Sequence, residues 1–167
     1  MAVITIGPGA TNRDNQFPSG YTIIDKGNPA SGTGTLSSAS FYFYASSTGV
    51  IVGTFYGSVL TYQDRGNESI GNVTAGSKQT FTGLDIEVES GDYLGVYYVG
   101  TIERDTVGNT AVMYKKGYYF GGAAVYKEFA DDAISIEASG VTATAAIERN
   151  GVNVTEINGV AVVDLNI

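Results

Sequence analysis

Acidic side chains alternate with other residues in two stretches, and they are the first candidates for catalysis. Asp85, Glu87 and Glu89 occupy every second position, as do Glu103 and Asp105. Glycoside hydrolysis requires two carboxylates that face each other across a cleft. The same alternation is typical of a strand with one solvated face. Because neither stretch offers a group that would orient an acid against a base, the pattern favours the solvated strand, and we expect no enzymatic activity.

Composition limits the other kinds of catalytic and metal-binding chemistry. The chain of 167 residues contains no histidine and no cysteine. This excludes nucleophile–histidine catalysis and zinc sites built from nitrogen and sulfur ligands. No glycine-rich loop carries the lysine that a phosphate-binding loop requires. We therefore predict no catalytic residue, no metal site and no cofactor.

Tyrosines are the best candidates for ligand binding. Tyr93 and Tyr97 flank Gly95 on one predicted strand face, which suggests an aromatic surface with a flat spot at the glycine. Such a surface can stack on a sugar ring or bury against a protein. Tyrosine is also an ordinary strand residue, and that explanation is the more common one. The remaining candidates follow later in the chain: Tyr114, Tyr118 and Tyr119.

The stretch 74–100 must position the first of these tyrosines. Leu84, Ile86 and Val88 alternate with acidic residues, which predicts a strand with one buried face. Gly83 is suited to a bulge that brings Phe81 back to the core. The residues after 92 are apolar on both faces, which predicts a second strand, central in its sheet. We expect the two strands to form a hairpin around 89–92.

Elsewhere, short runs rich in Val, Ile, Thr, Tyr and Phe are separated by turn signals. We predict a hairpin loop at 46–49, a turn at 64–67 and a single helical turn at 127–133. Strands repeated at about 8–12 residues are typical of an all-β sandwich or barrel. The fold class predicted is an antiparallel two-sheet sandwich of the jelly-roll kind.

Three regions are expected along the chain. Residues 1–20 would form an N-terminal arm or edge strand, 21–140 the sandwich, and 141–167 a C-terminal β segment. That segment repeats Asn-Gly-Val at an interval of eight residues, and Asn-Gly is a strong hairpin signal. A few short strands are marginal in water, so they require a surface on this sandwich or on another subunit. The residues expected to contact a partner are Val152, Val154, Ile157, Val160, Val162 and Leu165.

Charge and apolar patterning limit the partners. The formal net charge of -8 opposes binding to phosphate backbones and to anionic lipid surfaces, so neither nucleic acid nor membrane is an expected partner. The first residues lack a basic stretch followed by an apolar run, and no signal peptide is predicted. No stretch reaches the roughly 20 apolar residues that span a bilayer.

Several segments resemble a domain that recurs in proteins predicted from bacteriophage and environmental viral genomes. A further segment, INGVA at 157–161, is similar to short repeats of phage tail and appendage proteins. Members of that domain carry tryptophan where this chain has Met113 and Tyr114, and the difference counts against a lectin function. The segments that carry the resemblance are IDKGNPA at 24–30, VGTFY at 52–56, IGNVTAGSKQTF at 70–81, SGDYLGVY at 90–97 and IERDT at 102–106.

The resemblance implies a jelly-roll or concanavalin-like β-sandwich that belongs to a virion. On this basis we expect a structural virion protein, namely a capsid decoration, tail or fibre subunit made in the host cytoplasm. It would act by oligomerisation, with other virion proteins or copies of itself as partners, and a homo-oligomer is expected. The alternative is a non-catalytic carbohydrate-binding module that binds a glycan on its tyrosine-lined sheet face.

Overall fold

A computed structural model describes residues 1–143 in full and the backbone of 147–149, 152–157 and 160–163. The regular structure of these residues is entirely β-strand, and the strands pair antiparallel. The strands are β1 (Val3–Ile6), β2 (Asn15–Phe17), β3 (Tyr21–Asp25), β4 (Gly34–Ser58), β5 (Thr61–Val73), β6 (Lys78–Val88), β7 (Tyr93–Asp105), β8 (Ala111–Lys116), β9 (Ala124–Val125), β10 (Lys127–Ala130), β11 (Ala133–Ile134), β12 (Ile136–Thr142), β13 (Ile147–Arg149), β14 (Val152–Ile157) and β15 (Val160–Val163).

The long strand β4 joins two layers of the sandwich. Its residues 34–42 pair with β12 and β6, and β1 adds to the edge of this first layer by pairing with β12. Its residues 43–58 pair with β7 and β5 in the second layer. The second layer continues from β7 through β3 and β8 to β10. The structure therefore confirms the predicted all-β antiparallel sandwich.

The main hydrophobic core lies between the two layers. Ile86 and Ile136 of the first layer and Val96 of the second belong to one cluster of fully buried side chains. The N-terminal residues join the same cluster, because Ile4 and Phe17 are also buried in it. Burial of apolar surface at about 25 cal/mol per Å² is the main force that holds the layers together. Residues 1–20 thus pack on the sandwich itself.

The stretch 74–100 forms the two predicted strands, but the predicted hairpin is wrong. β6 pairs with β4 in the first layer, whereas β7 pairs with β3 and β4 in the second layer. The loop 89–92 therefore crosses from one layer to the other. Arg65 on β5 holds this loop, because its Nε donates to Oδ2 of Asp92 over 2.7 Å. Local sequence signals mark a turn but do not specify which partner the next strand takes.

The predicted face pattern and bulge in this stretch are confirmed. Ile86 and Val88 are buried, whereas the intervening Glu87 is exposed. The register with β4 changes between Thr82 and Ile86, and Gly83 adopts a φ of 78° there. β7 lies between β4 and β3, as expected for a strand that is apolar on both faces.

Two predicted turns are wrong because bulges bend continuous strands at both places. Residues 46–49 lie within β4, where the register with β5 and β7 shifts as the strand passes from one layer to the other. Residues 64–67 lie within β5, opposite another register shift. A Cβ on Gly66 would lie 2.9 Å from the backbone nitrogen of Glu87. The glycine is therefore needed for close approach of β5 to β6, and no chain reversal occurs at this position.

The predicted helical turn at 127–133 is also wrong. Lys127–Ala130 is β10, which pairs with β8 from Lys127 opposite Tyr114 to Ala130 opposite Ala111. Asp131 then adopts a φ of 63° and turns the chain into β11. This segment forms a strand because it gains backbone pairing with β8. The Phe129 ring also stacks on Tyr114, with centroids 4.2 Å apart.

Candidate functional site

Several tyrosines lie on the outer face of the second layer, and a loop covers much of this face. After β8 ends, residues 117–126, here called the cover segment, fold back over this face. The N–H of Tyr119 donates to Oγ1 of Thr22 over 3.1 Å, and that hydroxyl donates to the carbonyl of Gly117 over 2.7 Å. Thr22 is fully buried. These bonds attach the cover segment to β3.

Beneath the cover segment lies a second, smaller hydrophobic cluster. Phe55 contacts Phe120 with ring centroids 5.0 Å apart, and Tyr62 contacts Tyr126 at 6.1 Å. Met113 of β8 is buried in the same cluster. The outer face of the second layer is therefore largely a packed core, in contrast to the open aromatic surface that the sequence suggested.

The flat spot predicted at Gly95 is absent for the same reason. Gly95 is buried beneath the ring of Phe55. On either side of it, Tyr93 and Tyr97 are half-buried and pack against the second cluster. The surface around Gly95 is therefore occupied by protein side chains.

The five predicted tyrosines do not form one surface. Tyr97 and Tyr118 make an edge-to-face pair with centroids 5.5 Å apart, and Tyr118 is 51% exposed. Tyr93 instead packs on Tyr62 at 5.9 Å. Tyr119 and Tyr114 lie apart from that pair and line a different feature.

That feature is a cleft of about 350 Å³ at the end of β8, here called the lysine–tyrosine cleft. It opens where β10 stops pairing with β8, since β10 reaches only as far as Tyr114. Val125 of the cover segment forms part of its wall. The polar and aromatic side chains that line it are Tyr21, Tyr114, Tyr119, Lys115, Lys116 and Lys127.

The lysines of this cleft are not used in ion pairs within residues 1–143. Nζ of Lys115 donates to the carbonyl of Val125 over 2.9 Å and lies 4.7 Å from the centroid of the Tyr119 ring. Lys116 and Lys127 are exposed. The cations of residues 1–143 that do form salt bridges are Arg13 with Asp105, Arg65 with Asp92 and Glu89, Lys78 with Glu137, and Arg104 with Asp132.

No family model, curated protein or solved structure matches this chain.

The carboxylates that first suggested catalysis have structural contacts. Glu103 accepts the backbone N–H of Arg13 over 3.1 Å, and Asp105 pairs with the same arginine. Glu89 pairs with Arg65 over 2.9 Å. Asp85 and Glu87 lie on the solvated face of β6. These contacts give no cleft with two opposed carboxylates in either stretch.

Two buried aspartates line another cleft of about 350 Å³, near Asn109. Burial raises the pKa of Asp25 to about 6, although the N–H groups of Gly27 and Ile134 and the charge of Arg13 oppose this shift. Burial also raises the pKa of Asp132, opposed by the Arg104 guanidinium. In the part of the chain that the structure describes, no three acidic, histidine or cysteine side chains are grouped to hold a metal ion.

The predicted partner residues fall mainly on the C-terminal strands. β14 pairs with β13 and with β15, and Ile157 stands opposite Val160. This order gives a three-stranded meander, one of the arrangements expected from the repeat. Val152 and Val154 lie on β14 and Val162 on β15, whereas Leu165 lies outside the described residues. Among the described residues, no helix has the length and apolar character needed to cross a bilayer.

Proposed function

We propose that the protein is a structural virion subunit of a bacteriophage, a capsid decoration, tail or fibre component that acts by oligomerisation. The observation that carries this proposal is the C-terminal meander. Within the described backbone, β13, β14 and β15 pair with one another and make a sheet separate from the sandwich. Three strands are the fewest that can be stable without a covering element, and these strands have only three to six residues each, so we expect the sheet to need a surface for its apolar residues. A neighbouring subunit would supply that surface.

The first layer offers a second feature that supports association. β1 is its outermost strand and pairs with β12. Val3 and Val141 stand opposite each other in this pair, and they are 70% and 42% exposed. An edge strand with exposed apolar residues is a ready template for pairing with another chain. We place this association in a virion because of the resemblance to viral proteins expected from the five segments named above.

The proposal is tested by the mass in solution of the full chain and of a form that ends at Ala143. The cut belongs there because the N–H groups of Thr142 and Ala143 donate to the carbonyls of Ala2 and Thr33. We expect the full chain to form a larger assembly than the shortened form, which is folded and keeps the β1 edge but lacks the meander. A full chain that is monomeric at about 100 μM, or a shortened form that assembles equally well, would refute the proposal.

Two substitutions distinguish an effect on assembly at the predicted contact positions from a general effect of added negative charge. Val162→Asp introduces a carboxylate at a predicted contact position, and Val107→Asp introduces the same charge at an exposed position of the sandwich, in the loop after β7. We expect the first to abolish assembly, because an unpaired charge buried in an interface costs several kcal/mol, and the second to leave it unchanged. The virion assignment has its own test: genes for capsid, portal and tail proteins are expected beside the gene for this chain.

A carbohydrate-binding site on the tyrosine face around Gly95, as the sequence suggested, is not supported, because Phe55 covers that surface. What favours a ligand-binding role is the lysine–tyrosine cleft, which combines aromatic rings with lysines that form no ion pairs within residues 1–143.

A further inference from the structure

The lysine–tyrosine cleft has the size and the walls of a small-ligand site. Its volume of about 350 Å³ falls at the lower end of the roughly 300–1,000 Å³ usual for such sites. β3 and β8 form its floor, since Tyr21 stands opposite Lys116 in their pairing. Because β10 pairs only with residues 111–114 of β8, the cleft stays open beside Lys115 and Lys116.

The charge in the cleft is opposite in sign to that of the whole protein. Three lysines line it, and within residues 1–143 neither aspartate nor glutamate does so, although the chain carries a net charge of -8. Gathering like charges in a concave site costs free energy that a bound anion would offset. Lys115 is held in place by the Val125 carbonyl and the Tyr119 ring, so its ammonium group is already oriented before a ligand arrives.

The aromatic walls favour a ring-shaped ligand over a bare anion. Tyr114 is fixed by its parallel stack on Phe129 and by its contact with Tyr21, with centroids 6.1 Å apart. Tyr119 is fixed by its edge contact with Tyr126 at 6.4 Å. Phe129 covers one face of Tyr114, and Lys115 lies over the Tyr119 ring. The parts of the two rings that line the cleft still offer apolar surface to a sugar, and rings that are already immobilised lose little entropy on binding. An inorganic phosphate would use the lysines alone.

From these observations we propose that the lysine–tyrosine cleft binds an acidic saccharide, with the sugar ring against the tyrosines and its carboxylate at the lysines. Long polyanions such as nucleic acid are disfavoured by the acidic remainder of the protein. The inference does not depend on the virion proposal, since the described residues that line the cleft lie between positions 21 and 127 of the sandwich.

The test is calorimetric titration of the full chain with a uronic-acid disaccharide. The controls are the same disaccharide with its carboxylates reduced to hydroxymethyl groups, and inorganic phosphate. We expect the acidic disaccharide to bind at least about tenfold more tightly than either control, and its affinity to fall with salt. Equal affinity for the neutral sugar, tighter binding of phosphate, or no heat with the acidic sugar up to about 10 mM would each overturn the proposal.

Three lysine variants locate the site. Lys116→Gln and Lys127→Gln remove exposed charges from the cleft, and we expect each to weaken binding of the acidic disaccharide by about fivefold or more. Lys78→Gln is the matched control, because Lys78 lies in the first layer, where it pairs with Glu137. The affinity of this variant for the acidic disaccharide should equal that of the unaltered protein. Equal loss in all three variants, or none, would refute the assignment. The solution mass of each cleft variant should not change, which separates this test from that of oligomerisation.

Discussion

The ring of Phe55 lies directly over Gly95, so that a Cβ at position 95 would be 2.4 Å from Cε2 of that ring. The two residues stand on neighbouring strands of the second layer, β4 and β7. Phe55 in turn packs against Phe120 of the cover segment. The glycine therefore makes room for the aromatic ring that closes the outer face of this layer.

This contact predicts that Gly95→Ala is destabilising. The added methyl group overlaps a ring that is already buried on its other side, and such overpacking costs about 1–3 kcal/mol. Gly122→Ala is the matched control, because no atom lies within 4 Å of a Cβ there, and we expect a change within about 0.5 kcal/mol. The measurement is the free energy of unfolding from urea titration. Equal stabilities of the two variants would show that Phe55 moves aside easily.

Two of the three buried tyrosines, Tyr98 and Tyr126, are predicted to respond differently to loss of their hydroxyls. The hydroxyl of Tyr98 donates to the carbonyl of Pro18 over 3.0 Å, whereas that of Tyr126 has no hydrogen-bond partner among the described residues. Tyr98→Phe should cost about 1 kcal/mol, and Tyr126→Phe should be neutral or stabilising. Thermal unfolding of both variants measures the difference. A loss of stability in Tyr126→Phe that matches that of Tyr98→Phe would contradict the prediction.

Sequence patterns were informative about strand faces and uninformative about strand partners. The alternation of Ile86 and Val88 with acidic residues located the buried face of β6 correctly. It could not show that β6 and β7 belong to different layers, because alternation specifies a face and leaves the neighbouring strand undetermined. For the same reason Gly66, which permits close approach of two strands, resembled a turn residue.

The candidate site was predictable only in part. Residue type alone pointed to Tyr114 and Tyr119, and both line the lysine–tyrosine cleft. The lysines were missed because only the pairing of β10 with β8, which places Lys127 opposite Tyr114, brings Lys127 to the same cleft as Lys115 and Lys116. The available signal was that Lys115 and Lys116 are adjacent in a chain with nine basic residues. The cover over Gly95 was not predictable, because Phe55 lies far from it in sequence.

Asp92 is predicted to be the most sensitive residue of the loop that crosses between the layers. Its carboxylate accepts from Nε of Arg65 over 2.7 Å, from Nη2 of Arg65 over 3.2 Å and from the N–H of Glu89 over 2.8 Å. Asp92→Ala leaves the largely buried Arg65 guanidinium with only the more exposed Glu89 as an ion-pair partner, so we expect a loss of about 2–4 kcal/mol. Asp85→Ala, on the solvated face of β6, should change stability by less than about 0.5 kcal/mol. Similar values for both variants in denaturant titration would argue against the role of this ion pair.

Asp25 is predicted to make the protein less stable as the pH rises from about 4 to about 7. Its carboxyl is 1% exposed, and burial raises its pKa from 3.8 to about 6 in the folded state. Between these values the folded protein retains a proton that the unfolded chain releases, so the free energy of unfolding falls with rising pH. The destabilisation is complete above about pH 7, disappears below about pH 4 and amounts to at most about 3 kcal/mol.

Asp25→Asn removes this titration while keeping an acceptor for the N–H of Gly27, which donates to Asp25 over 2.8 Å. The stability of the variant relative to the unaltered protein should therefore increase by about 2–3 kcal/mol between pH 4 and pH 7. Asp85→Asn, at an exposed position, should follow the pH dependence of the unaltered protein. Urea titrations across this pH range measure the effect. Parallel stability curves for Asp25→Asn and the unaltered protein would mean that Asp25 is already ionised in the fold at pH 4.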